Sequence, residues 1–136
     1  ANDKAQFGIP EVKRGLIAGA GGLLTLPSII GKRLSMELVL TGDFISAERA
    51  YQIGFVNRLT TGAALDAAMD LARAVAANGP LALKATKRII NERPDWSSSE
   101  MWKKQGEIAG AVFTSKDARE GAAAFAEKRK PNWTGS

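Results

Sequence analysis

Between Ala63 and Ala77 the apolar residues Leu65, Ala68, Met69, Ala72, Val75 and Ala76 recur three and four apart. That spacing restricts the segment to an amphipathic helix whose apolar stripe must find a partner. Asn78-Gly79 supplies a stop, and Pro80 opens the next helix, since its fixed φ suits a first turn and its missing N–H is not needed there. Leu81, Ala85 and Ile89 form one face of this second helix, which Pro94 ends. Ser97 with Glu100 has capping-box spacing and predicts a long helix towards Val112. Ala118, Gly121, Ala122 and Phe125 predict the face of a last amphipathic helix.

The first half reads differently. Ala5-Gln6-Phe7 predicts a brief strand before Gly8 and Pro10 force a loop. Leu16 to Leu26 is apolar and rich in glycine, and a helix is expected from about Gly21 to Ile30, with Gly31 as its stop. Ser35 to Leu40 predicts a short helix closed by Thr41-Gly42, and Ser46 with Glu48 caps another that ends before Gly54. Phe55 to Leu59 predicts a small extended segment. The sum is six or seven helices and two short strands, a mainly α chain of α+β type without fixed-period repeats. The extended pieces have no evident partner here, and an unpaired buried strand is costly. Pairing with residues preceding Ala1, or with another copy of the chain, is therefore expected.

With no cysteine and no histidine among its 136 residues, the chain lacks disulfides, thiol nucleophiles, imidazole bases and the usual zinc ligands. Acid-base chemistry falls to carboxylates, lysines or the single tyrosine. No stretch has signal-peptide character or some 18 consecutive apolar residues, so no membrane partner is implied and a reducing cytoplasmic setting is the default. The net charge of +5 favours anionic partners, phosphates of a nucleotide-like group among them. Only Lys128, Arg129 and Lys130 cluster. Nucleic-acid binding ranks lower, because the basic residues show no aromatic interleaving.

Glu11 is the carboxylate in the most distinctive setting, after helix-incompatible Pro10 and before the apolar glycine-rich run. Desolvation there would favour its protonated form and suit it to general acid-base work, whereas a surface glutamate in a turn is the plainer account. Gly19, Gly21 and Gly22 could turn backbone amides towards a ligand at a helix start, or could simply allow close packing. Their spacing matches no phosphate-loop or dinucleotide fingerprint.

Phe7-Gly8-Ile9-Pro10-Glu11 and Gly15 to Gly22 resemble the run that follows the oxyanion-hole region of the enoyl-CoA hydratase/isomerase, or crotonase, family. Met36-Glu37-Leu38, Leu40-Thr41-Gly42-Asp43, Ile45 to Ala50, Gly54 to Asn57, Asp117 to Gly121 and Phe125 to Pro131 are similar in order and spacing. The resemblance covers essentially the whole chain and likens it to the C-terminal half of such an enzyme. It implies the last turn of a β-β-α spiral with an acyl-CoA pocket segment over residues 1–60, and a C-terminal helical trimerisation and coenzyme-covering region over 61–136.

On that resemblance Glu11 is one of two glutamates that activate water for addition to a 2-enoyl-CoA, giving a 3-hydroxyacyl-CoA. The second glutamate and the oxyanion-hole amides would lie in segments preceding Ala1, so the isolated chain is expected to be nearly inactive. Gly19 would line the substrate site, while Phe125 and Lys128 would approach the adenine end of coenzyme A. No cofactor or metal is implied, since coenzyme A arrives as part of the substrate. The implied partners are the N-terminal half of the same enzyme and further copies, as a trimer or dimer of trimers. Ala18, where the family commonly has proline, and Leu23-Leu24-Thr25, where it is usually more polar, suit a bulkier or more hydrophobic acyl chain, or else serve helix packing. A related acyl-CoA isomerase or decarboxylase, and a non-catalytic oligomerisation module built from the helices after Ala63, stand as alternatives.

Overall fold

The computed structural model describes residues 1–136, which divide into two units, Ala1–Met69 and Asp70–Ser136. In chain order the first unit contains strand β1 (Gln6–Phe7), a 3-10 helix (Pro10–Arg14), helices α1 (Gly22–Ile30) and α2 (Lys32–Thr41), strand β2 (Ile45–Ser46) and helix α3 (Ala47–Gln52). Helix α4 (Ala64–Ala76) runs across the division. The second unit contains α5 (Pro80–Glu92), a 3-10 turn (Arg93–Asp95), α6 (Met101–Phe113) and α7 (Lys116–Ala126). The chain is mainly helical, as its periodicities predict, and has one two-stranded sheet. No helix is long and apolar enough to cross a membrane.

The predicted strand finds a partner inside the chain. β1 pairs antiparallel with β2, Gln6 opposite Ser46 and Phe7 opposite Ile45, and the Ala47 amide extends the ladder by donating to the Ala5 carbonyl at 3.0 Å. Asn2 forms a parallel bridge with Thr60. The expectation that these pieces would pair only outside the chain is thus overturned. Ile45-Ser46 carries no strand signature of its own, because two residues are too few to show alternation. Phe55 to Leu59 is not a strand either: the Phe55 and Val56 amides both donate to the Ala50 carbonyl, at 2.9 and 3.1 Å, and wind the chain off the end of α3.

Capping explains the helix starts. The Ser46 hydroxyl accepts the Arg49 amide at 3.1 Å and opens α3, whose Ala47 and Ala50 are fully buried. Beside them the Phe7 and Phe55 rings meet edge to face, centroids 5.2 Å apart, and Leu26 and Ile30, one turn apart on α1, complete the buried apolar set of this unit. α2 begins at Lys32 rather than Ser35, directly after Gly31, whose φ of +80° separates two helices that would otherwise fuse. Buried Ser35 donates to the Gly31 carbonyl at 2.8 Å.

In the second unit Leu81, Ala85 and Ile89 are half-buried, as their spacing predicts, and Trp96 is buried where α5 turns towards α6. The Ser97–Glu100 capping box takes another form. The Ser97 hydroxyl donates to the Glu100 carboxylate at 2.7 Å, and α6 starts only at Met101. On α7 the buried face differs from the predicted one: Asp117 and Ala124 are buried, whereas Ala122 and Phe125 are exposed. The covering element is the chain's own tail, described below.

Candidate functional site

Pro10 starts the 3-10 helix that carries Glu11, and Gly15, at φ +66°, ends it. The Leu16 amide closes the turn on the Glu11 carbonyl at 3.1 Å. Only Gly15's left-handed conformation lets the chain reverse so tightly, which fixes the Glu11 backbone. Glu11 as a residue is half-buried, yet its Oε2 is shut off from solvent and receives no hydrogen bond from the chain. Leaving such an oxygen without a donor costs free energy, so it is an acceptor available to a group that enters. Lys13, two residues on, is committed to Asp43 at 2.5 Å.

The residues just before Pro10 line a cavity of about 120 Å³, walled by Phe7, Gly8, Ile9, Leu26, Leu38 and Phe55. A wider apolar groove of about 500 Å³ lies between α1 and α2, lined by Leu23, Pro27, Met36 and Leu40 with Lys32 at its edge. Of the apolar pair the sequence singles out, Leu23 faces this groove and Leu24 is exposed. Gly19 is exposed, but its amide donates to the Ile17 carbonyl at 2.8 Å. It therefore offers a ligand room rather than a free donor.

Glu11 and Gly19 belong to the first unit, Phe125 and Lys128 to the second. Phe125 is 87% exposed, so its ring packs against no neighbour within this chain. Lys128 follows α7 at φ +54°, a conformation that non-glycine residues seldom adopt. The basic cluster is not uniform. Arg129 is held by both oxygens of Glu120, at 2.6 and 3.0 Å, and by Glu127 at 2.6 Å, while Lys128 and Lys130 form no ion pair.

Sequence reasoning missed Asp117, Glu120 and Trp133. Asp117 accepts the Thr134 amide and hydroxyl and the Gly135 amide at 2.7–2.9 Å. The Thr134 amide, foremost, holds its carboxyl below the usual range. The Arg129 guanidinium, and after it the Asn132 amide, bring the Glu120 carboxyl down to about 2. The available signal was the 117, 120, 121, 124 spacing, one helical face that carries two carboxylates.

Comparison with known proteins covers the whole chain. The model of the enoyl-CoA hydratase/isomerase family matches residues 1–136. A carnitinyl-CoA dehydratase of Salmonella arizonae is 40% identical over 138 residues, 98% of this chain and 53% of that protein. An enoyl-CoA hydratase of Mycobacterium tuberculosis is 41% identical over 134 residues, 98% of this chain and 50% of that protein. The crystal structure of an enoyl-CoA hydratase from Mycobacterium tuberculosis superposes with a TM-score of 0.95 at 58% identity, covering 100% of this chain and 54% of that one. The chain spans about half the length of the curated relatives it matches. Agreement at this level in both sequence and backbone, from the Pro10-Glu11 turn to the tail, means that the chain belongs to the enoyl-CoA hydratase/isomerase family.

Proposed function

We propose that this chain supplies one catalytic glutamate, Glu11, to an enoyl-CoA hydratase that adds water across the 2,3 double bond of a 2-enoyl-CoA. The carrying observation is the Glu11 Oε2, buried and uncommitted on a rigid turn beside an apolar cavity. In this reading the carboxylate takes a proton from water as the water oxygen bonds C3 and passes that proton to C2, so that one water adds as OH and H across the double bond, the carboxylate is regenerated and the 3-hydroxyacyl thioester results. A hydratase and a dehydratase, the activities named for the two relatives, run one water transfer in opposite directions. In this reading Gly19, in the first unit, is assigned to the acyl-thioester end of a substrate, and Phe125 and Lys128, in the second unit, are assigned separately to the adenine and phosphates of coenzyme A, which enters as substrate and not as a separate cofactor.

The reading places the second glutamate and the oxyanion-hole donors in the N-terminal half of the enzyme, with this chain as the C-terminal half, an assignment that rests on motif order. Exposed surface supports incompleteness. Two separate compact units of half the 14.4 kDa mass would together expose roughly 8200 Å², and this chain exposes 10020 Å². Leu65, Met69, Trp102 and Phe113 are among the exposed apolar residues. They also favour a second reading for residues 61–136, assembly with further copies as a trimer or dimer of trimers.

The test is hydration of crotonyl-CoA by the chain mixed with its separately made complementing half. Glu11→Gln is expected to lower kcat by about 10²- to 10⁴-fold, with binding of acetoacetyl-CoA unchanged. Full activity in that variant removes Glu11 from the chemistry. Binding without hydration in the unaltered pair favours an isomerase or decarboxylase of the same family.

A further inference from the structure

We propose that Glu120 is a positioning residue for the phosphate and adenine end of the substrate, acting through the turn that carries Lys128. The proposal rests on the acyl-CoA reading above and deepens it.

Asp117, Glu120, Gly121 and Ala124 lie three, four and seven positions apart and share one face of α7. After Ala126 the chain reverses and its tail returns along that face. Asp117 anchors the tail's end through Thr134 and Gly135. Trp133 donates its indole N–H to the Ala77 carbonyl at 2.8 Å and lies so close to Gly121 that a Cβ there would stand 3.2 Å from the ring. Glu120 does something different, because it grips both limbs of the reversal. Its Oε1 accepts from Arg129 on the outgoing limb at 2.6 Å and from the Asn132 amide on the returning limb at 2.7 Å, while its Oε2 takes the second Arg129 nitrogen at 3.0 Å.

Lys128 sits inside that clamp in the left-handed conformation, with its amide tied to the Phe125 carbonyl at 3.2 Å. The Arg129 amide closes this turn on the Ala124 carbonyl at 3.0 Å, so the backbone sets the left-handed conformation, and Glu120, by holding the Arg129 guanidinium and the Asn132 amide, fixes the direction in which the turn presents the Lys128 ammonium. By consuming Arg129, Glu120 also leaves Lys128 and Lys130 as the cations free to meet a phosphate beside the exposed Phe125 ring. The two effects of Glu120 on an anion have opposite signs. Its charge repels a phosphate, and its clamp orients the lysine that holds one.

Titration of coenzyme A, and separately of adenosine 3′,5′-bisphosphate, into the full chain separates these effects. Glu120→Gln keeps the side chain's size and makes the locality more positive. Positioning predicts that it weakens both ligands by about tenfold, the loss expected when one charge-assisted contact is no longer held in place. Attraction by net charge alone predicts tighter binding. Lys128→Ala is expected to weaken binding similarly, and the double variant should be no weaker than Lys128→Ala, since Glu120 acts through that lysine. Arg129→Lys, which retains the charge pair but not the fork, is expected to fall between; it decides the matter should Glu120→Gln fail to fold. Unchanged or tighter binding in Glu120→Gln, or an additive loss in the double variant, overturns the positioning role and leaves the acyl-CoA reading standing. A wild-type chain that binds neither ligand even when mixed with its complementing half overturns both.

Discussion

Glu11 and Asp117 show how differently a carboxylate can be used. Glu11 keeps an oxygen buried and uncommitted, whereas Asp117 spends both oxygens on backbone and hydroxyl donors of the tail. Asp117→Ala strands those donors and is expected to lower Tm by several degrees in a calorimetric scan; an unchanged Tm would show that water replaces the carboxylate without loss. Gly121→Val should drive the Trp133 ring away, because a Cβ already meets it at 3.2 Å. The readout is loss of the protected Trp133 indole N–H signal, and its retention would contradict the packing. At this scale the turn that carries Glu11 was legible, since Pro10 before it and glycines after it mark a break in regular structure. The commitment of the Gly19 amide was not, because a bond to a carbonyl two residues away leaves no mark in composition.

Among the elements, α7 and its tail carry the clearest pH dependence. Glu120 titrates at about 2 in the folded chain against an ordinary 4.5. A depressed folded value means that the stabilisation is complete above about pH 4.5 and is lost as pH falls towards 2. Asp117 is shifted in the same direction. The Trp133 indole N–H resonance should therefore hold through pH 4.5 and disperse only in the more acidic window; dispersal at higher pH would place the tail under another control. Ser115 caps the same helix, accepting the Ala118 amide at 3.0 Å and donating to the Val112 carbonyl at 2.6 Å. Ser115→Ala should cost about 0.5–2 kcal/mol in denaturant unfolding, towards the upper end because the group is buried. Existence and order of the helices were readable from spacing and stop signals. The face of α7 was not, since a stripe that includes two carboxylates looks like the solvent side until a tail rich in donors is found lying on it.

For the whole molecule the governing quantity is apolar surface. Side chains such as Leu24, Leu65, Trp102 and Phe113 remain largely exposed, and apolar patches on that scale mark association surfaces. The isolated chain is therefore expected to bind a dye such as ANS and to sediment with concentration-dependent mass. A sharp monomer at high concentration that binds no dye would contradict this. Periodicity, caps and breakers by themselves determined the helices, their order and the Pro10-Glu11 turn, because these depend on neighbours three or four residues away. Tertiary structure alone decided that Gln6-Phe7 pairs with Ile45-Ser46, which face of α7 is buried, and that Arg129 is silenced while Lys128 is displayed. Those outcomes turn on which groups meet across long stretches of chain, and the contacting pairs compete there with many others of equal local merit.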